Sequence, residues 1–149
     1  MALSISPATL GDCAECTRLL VEQLREHDIS VSAEPLQRVL EEAVADERRG
    51  FLLMARDDGK TAGVAYVTTI LSAEHCGLAG WLEELYVVPD YRCRGVGTAL
   101  VTAAMNRARQ MGMVAMDLEV VAGHERVMSL YQRFGFQRLD RSRWIRKLL

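Results

Sequence analysis

The chain has 149 residues, half of them hydrophobic and 26% charged, with a formal net charge of −2. That is the length and balance of one globular domain with its own core, and it excludes disorder of the whole chain. There is no apolar run of about 18 residues, no basic n-region at the start and no large positive charge, so no membrane span, secretory leader or nucleic-acid surface is expected.

Residues 3–6 read as a short strand. Thr9 and Asp12 have the spacing of a capping box. Behind them Leu10, Cys13, Ala14, Leu20, Val21 and Leu24 keep the period of a first helix. Cys13 and Cys16 form a C-x-x-C, but a zinc site would need a second such pair, and a redox pair would follow a strong strand. Both thiols are therefore expected buried on the helix. With no disulfide framework, a reducing cytoplasm is the default compartment. Leu36, Val39, Leu40, Ala43 and Val44 predict a second helix over 34–47 with a solvated acidic face.

Residues 51–56 then read as a strand, Asp57-Asp58-Gly59 as a tight turn and 60–71 as the returning strand. A loop over 72–80 leads to a strand over 81–88, apolar except for Glu83 and Glu84, and Pro89-Asp90 ends it. A helix over 95–111 carries Val96, Ala99, Leu100, Ala103, Ala104, Ala108 and Met111 on one face and stops at Gly112. A strand over 114–121 places Val114, Met116, Leu118 and Val120 on one face. A short helix over 125–134 closes at Gly135, and 136–138 and 144–147 give one or two last strands. The order predicts a mixed α/β fold in one domain spanning 1–149, without repeats or linkers.

The stretch from Trp81 to Leu100, WLEELYVVPDYRCRGVGTAL, runs an apolar strand into a glycine-rich turn that opens a helix. The first amides of a helix are unpaired and carry partial positive charge, so such a turn suits an anion, here with Arg92 and Arg94 beside it. A P-loop would need a Lys after its glycine, and none occurs here. A dinucleotide fingerprint would need a third glycine where Leu100 stands.

Arg92, Gly95 and Gly97 instead match [QR]-x-x-G-x-[GA]. Downstream, Leu130, Tyr131, Gly135 and Phe136 match N-x-x-A-x-x-L-Y-x-x-x-G-F, with His124 at the Asn position and Val127 at the Ala position. On these two motifs the sequence resembles the GNAT superfamily of N-acetyltransferases. The resemblance implies a mostly antiparallel twisted sheet splayed between its fourth and fifth strands, flanked by about four helices. It implies acetyl-CoA as co-substrate and no metal. Backbone groups of Leu85, Tyr86 and Val87 would then meet the pantetheine arm. Those of Cys93, Arg94, Gly95, Val96, Gly97 and Thr98 would meet the pyrophosphate with Arg92 beside it, and His124 would meet the arm or cap a helix.

Alkyl amines are mostly protonated at pH 7, so a carboxylate is needed to take the proton before attack. Glu83 and Glu84 are adjacent, and regular alternation would send them to opposite faces. The L-E-[DE]-[LF]-x-V arrangement resembles the diamine and polyamine branch, which favours Glu83 as the base. Tyr131 stands at the family's general-acid position, where a phenol can protonate the leaving thiolate. Cys93 lacks a base partner, which disfavours an acetyl-cysteine route. His27 and His75 read as surface residues, and nothing joins the three histidines into a metal site. Trp81 reads as the aromatic start of a buried strand or as a wall of the cleft.

The expected acceptor is the primary amine of a small molecule. A protein lysine or N-terminus, or a non-catalytic acyl-CoA sensor, stands as the alternative. A homodimer is expected by analogy with relatives. Residues 1–50 sum to −5, 51–125 to −3 and 126–149 to +6. The basic end either helps bind the phosphorylated adenosine of CoA or balances the acidic helices. Of 18 basic residues only Lys60 and Lys147 are lysine, which has a bland origin in base composition and a functional one in phosphate binding.

Overall fold

The computed structural model describes residues 1–149. In chain order it contains β1 (Leu3–Pro7), α1 (Cys13–Glu26), α2 (Ala33–Ala45), β2 (Gly50–Asp57), β3 (Lys60–Ser72), β4 (Gly77–Val87), α3 (Val96–Gln110), β5 (Ala115–Leu118) and α4 (Met128–Arg133). Contacts divide the chain into two units, Met1–Glu119 and Val120–Leu149. No helix is long and apolar enough to cross a membrane.

The first unit is a five-stranded sheet in the order β1-β2-β3-β4-β5. The first three pairings are antiparallel and β4–β5 is parallel. The capping box forms as expected: Asp12 accepts hydrogen bonds from the Thr9 amide at 2.8 Å and its hydroxyl at 3.0 Å. The Asp12 carboxyl is held below its usual range, chiefly by the Thr9 amide, with further help from the Arg56 guanidinium 2.7 Å away.

The buried face of α1 is rotated from the expected one. Cys13, Cys16, Thr17, Leu19, Leu20 and Gln23 are inside, whereas Leu10 is 58% exposed. Leu10 belongs to a 3-10 turn ahead of the α-helix, so its phase does not carry into α1. The buried Thr17 hydroxyl and Gln23 Nε2 donate to backbone carbonyls, those of Cys13 and Leu85. Cys13, Cys16, Leu19 and Leu20, with Leu40 and Ala43 of α2, pack on Leu52, Met54, Val64, Tyr66 and Tyr86 of the sheet. The opposite sheet face receives α3, where Val96, Leu100, Val101 and Ala104 are buried.

Two strand expectations change. β5 stops at Leu118 because its ladder with β4 covers only Ala79–Leu82, and Val114, before its start, is 63% exposed. Residues 136–138 and 144–147 form no strand. The first range has a single apolar residue, Phe136, and in the second Trp144 and Ile145 are adjacent, so on a strand they would point to opposite faces and leave no single side to bury.

The second unit holds a 3-10 turn over Glu125–Val127 followed by α4. The Gly123 amide donates to Glu125, and the Phe136 amide to the Tyr131 carbonyl. The Tyr131 and Phe136 rings meet edge to face at 5.8 Å.

Gly63 on β3 lets the backbone of β4 approach closely. A Cβ there would lie 2.6 Å from the Tyr86 carbonyl oxygen and 3.0 Å from Leu100 Cδ1. Gly63→Ala should therefore destabilise the protein by about 1–3 kcal/mol, read from urea unfolding. A variant as stable as the parent would mean that β3 and β4 are not held this closely.

Candidate active site

The pairing of β3 with β4 slips once. Tyr66 is level with Glu84, but the next residue of β3, Val67, is level with Leu82. Glu83 is therefore an extra residue, a bulge that bends the strand and re-aims side chains. The slip takes Glu83 out of the regular alternation by which neighbouring residues face opposite sides. Glu84 is level with Tyr66, and the Glu83 carboxylate is near enough for its charge to act on the same phenol. Burial, then that charge, pushes the Tyr66 hydroxyl up to about 12, so it stays protonated at neutral pH.

Beyond the bulge β4 has no β5 partner, and its outer edge is open from there to Val87. The Tyr86 carbonyl points toward Gly63 of β3. Alternation then directs the backbone groups of Leu85 and Val87 to the open edge. Both carbonyls there are covered by side chains: Leu85 accepts from Gln23 Nε2 at 2.9 Å, and Val87 from Arg92 Nε at 2.9 Å.

The turn after β4 is built for an anion through its backbone. Cys93 has φ 59° and Gly95 has φ 83°, two left-handed residues flanking Arg94. Such alternation curls successive amides into a concave nest. Gly95 caps α3, and a Cβ on it would meet nothing within 4 Å, so the backbone stays approachable. The first intrahelical bond runs from the Ala99 amide to the Gly95 carbonyl, which leaves the amides of Val96, Gly97 and Thr98 ahead of it. Val96 is buried and anchors this end of the helix.

The two arginines part company. Arg92 pairs with Glu26 of α1 at 3.0 Å and lies 5.4 Å over the Tyr86 ring, besides bonding Val87. It is a strut between α1, β4 and the turn. Arg94 is exposed and rests over Tyr91, so its guanidinium is the one that can follow a ligand. A pyrophosphate suits this turn on its amides and Arg94, and an amide-bearing arm suits the open edge of β4.

His124 and Tyr131 belong to the second unit, the first preceding its 3-10 turn and the second on α4. His75, expected at the surface, is half-buried. Its Nε2 bonds Asp117 at 2.8 Å and ties the β3–β4 turn to β5. Trp81, also half-buried, is level with that aspartate. Burial pushes the Cys16 thiol up to about 12, which keeps it out of thiolate chemistry, and Cys93 is exposed with its backbone in the turn. Gln23, Glu26 and Tyr66 belong to no motif legible in the sequence. Gln23 lies seven and four residues after Cys16 and Leu19, so helical phase counted from those two would have placed it inside.

The profile of the acetyltransferase (GNAT) family matches residues 15–136. Mycothiol acetyltransferase of Propionibacterium freudenreichii is 39% identical over 85 residues, 57% of this chain and 27% of that protein. Aminoglycoside N(6')-acetyltransferase type 1 of Klebsiella aerogenes is 34% identical over 100 residues, 66% of each chain. The match thus spans about a quarter of the first relative's length. In fold, the chain resembles a predicted acetyltransferase of Clostridium acetobutylicum crystallised with acetyl-CoA, with a TM-score of 0.81 at 18% identity over 97% of this chain and 96% of that one. With its sheet opened beside β4 and a glycine-rich turn leading into α3, this chain belongs to the GNAT family of acetyltransferases.

Proposed function

We propose that this protein transfers the acetyl group of acetyl-CoA to a primary amine of a small molecule, by direct attack. The observation that carries the reading is the open edge of β4, which starts at two carboxylates and runs into an amide-lined turn. Acetyl-CoA supplies an activated thioester carbonyl. The amides of Leu85 and Val87 line the edge where the arm and that carbonyl would lie, and donors there stabilise the negative charge that develops on its oxygen. The amides of Val96, Gly97 and Thr98, with Arg94, hold the pyrophosphate.

Glu83 draws the ammonium form of the acceptor and takes its proton, directly or through water. The amine nitrogen then forms the new bond to the acetyl carbon as the carbon–sulfur bond breaks. Tyr131 gives its proton to the departing sulfur and is reprotonated through water by the second proton that the nitrogen loses as it becomes an amide, a role that rests on its place in the family motif. The L-E-E-L-x-V run favours a diamine or polyamine as the first acceptors to test.

Release of CoA thiol, followed with acetyl-CoA and a panel of diamines, amino acids, aminoglycosides and peptides, tests the reading. Turnover on small amines is expected. Turnover on peptides alone would move the acceptor to proteins, and CoA binding with no turnover on any acceptor would make the protein a sensor.

Glu83→Gln should lower kcat about a hundredfold or more at pH 7, and Glu84→Gln only a few-fold. The reverse pattern would make Glu84 the base. Tyr131→Phe should slow turnover at least tenfold while CoA affinity holds, and parental turnover would remove it from the mechanism.

The two arginines should separate in calorimetry and melting. Arg94→Ala should weaken CoA binding and flatten its dependence on salt. Arg92→Ala should chiefly lower stability, by about 1–2 kcal/mol. Equal effects of both on CoA affinity alone would refute the strut.

A further inference from the structure

Gln23 is a buried polar residue of α1 that bonds the backbone of β4. It is 6% exposed, and its Nε2 donates to the Leu85 carbonyl across 62 positions of sequence. Its other polar atom, Oε1, is buried and has no hydrogen-bond partner. An apolar residue of the same length would fill this place without stranding an acceptor. What the carboxamide does, and such a residue could not, is cover a carbonyl on an edge that has no strand beside it.

The Leu85 carbonyl is also where an incoming strand-like partner would bond. The pantetheine arm carries two secondary amides, each with an N–H that can pair with a strand edge as a peptide does. Gln23 Nε2 already occupies one of the two acceptor sites of this oxygen, so an N–H of the arm competes with it for the carbonyl.

We propose that Gln23 is an exchangeable cover for the Leu85 carbonyl. It satisfies that carbonyl in the free protein and yields it to an amide N–H of the pantetheine arm on binding. Gln23 is thus a positioning residue that sets cofactor affinity through β4. The proposal rests on the reading of the β4 edge as the acyl-CoA site. Arg92 covers the Val87 carbonyl in the same manner, but its ion pair with Glu26 fixes it in place, whereas Gln23 has no second bond to hold it.

The exchange subtracts one hydrogen bond from the binding of CoA. Gln23→Met keeps the length of the side chain and removes the donor. Calorimetry with CoA should then show binding about two- to tenfold tighter than the parent's, the range expected for one net hydrogen bond. The melting temperature of the free variant should stay within a few degrees, because the stranded Oε1 is removed together with the bond. A residue that only props up the fold would weaken CoA binding when replaced.

A second measurement does not depend on the variant folding. In the parent protein labelled with nitrogen-15, the side-chain amide signal of Gln23 should shift, and its protons lose protection from exchange, as CoA is added. Weaker or unchanged CoA binding by a folded Gln23→Met protein overturns the exchange. So does a Gln23 signal that stays in place at saturating CoA. A parent protein that binds no CoA overturns the cofactor reading and the exchange with it.

Discussion

One residue too many in β4 governs this molecule. β3 pairs with β4 along its whole length, but at Tyr66 and Val67 the partner strand uses an extra residue, Glu83. β5 follows β4 only as far as Leu82. Past that point the outer edge of β4 has no strand beside it, a condition that sheets usually avoid because each uncovered carbonyl and amide needs a partner. The bulge opens the edge and sets two carboxylates at its head.

The open edge explains features of α1 and of the turn that otherwise look unrelated. A buried glutamine with half its amide stranded is a poor choice for a helix core, and an arginine paired to a glutamate is a poor choice for an anion ligand. Both become intelligible as donors to the Leu85 and Val87 carbonyls. The electrostatics of the turn follow: Glu26 neutralises Arg92, which leaves Arg94 as the exposed cation beside the backbone amides. Backbone donors suit this task, since their direction is fixed before a ligand arrives.

The sequence foretold the fold where local rules decide it. The Thr9–Asp12 box, the hairpin through Asp58-Gly59, the amphipathic α2 and the glycine-opened α3 all formed close to their expected places. Expectations failed where partners at long range decide. The buried face of α1 was displaced because its phase starts after a 3-10 turn and because Leu85 rewards a buried Gln23. β5 was shortened because its neighbour bends away. The expected last strands did not form because their apolar residues offer no single face to bury. His75 left the surface because Asp117, distant in sequence, came within 2.8 Å of it.

By itself the sequence determined the family, through a glycine-rich turn after an apolar strand and a second motif around Tyr131, and it named Glu83 and Glu84 as the pair of interest. These are local features, since glycine positions and residue spacing are visible in the chain. Only the tertiary structure decided that Glu83 leaves the strand alternation, that Arg92 is a strut while Arg94 is exposed, and that Gln23 covers the open edge. Each of those depends on how one strand registers against another, and register is set by the packing of whole elements rather than by any short run of residues.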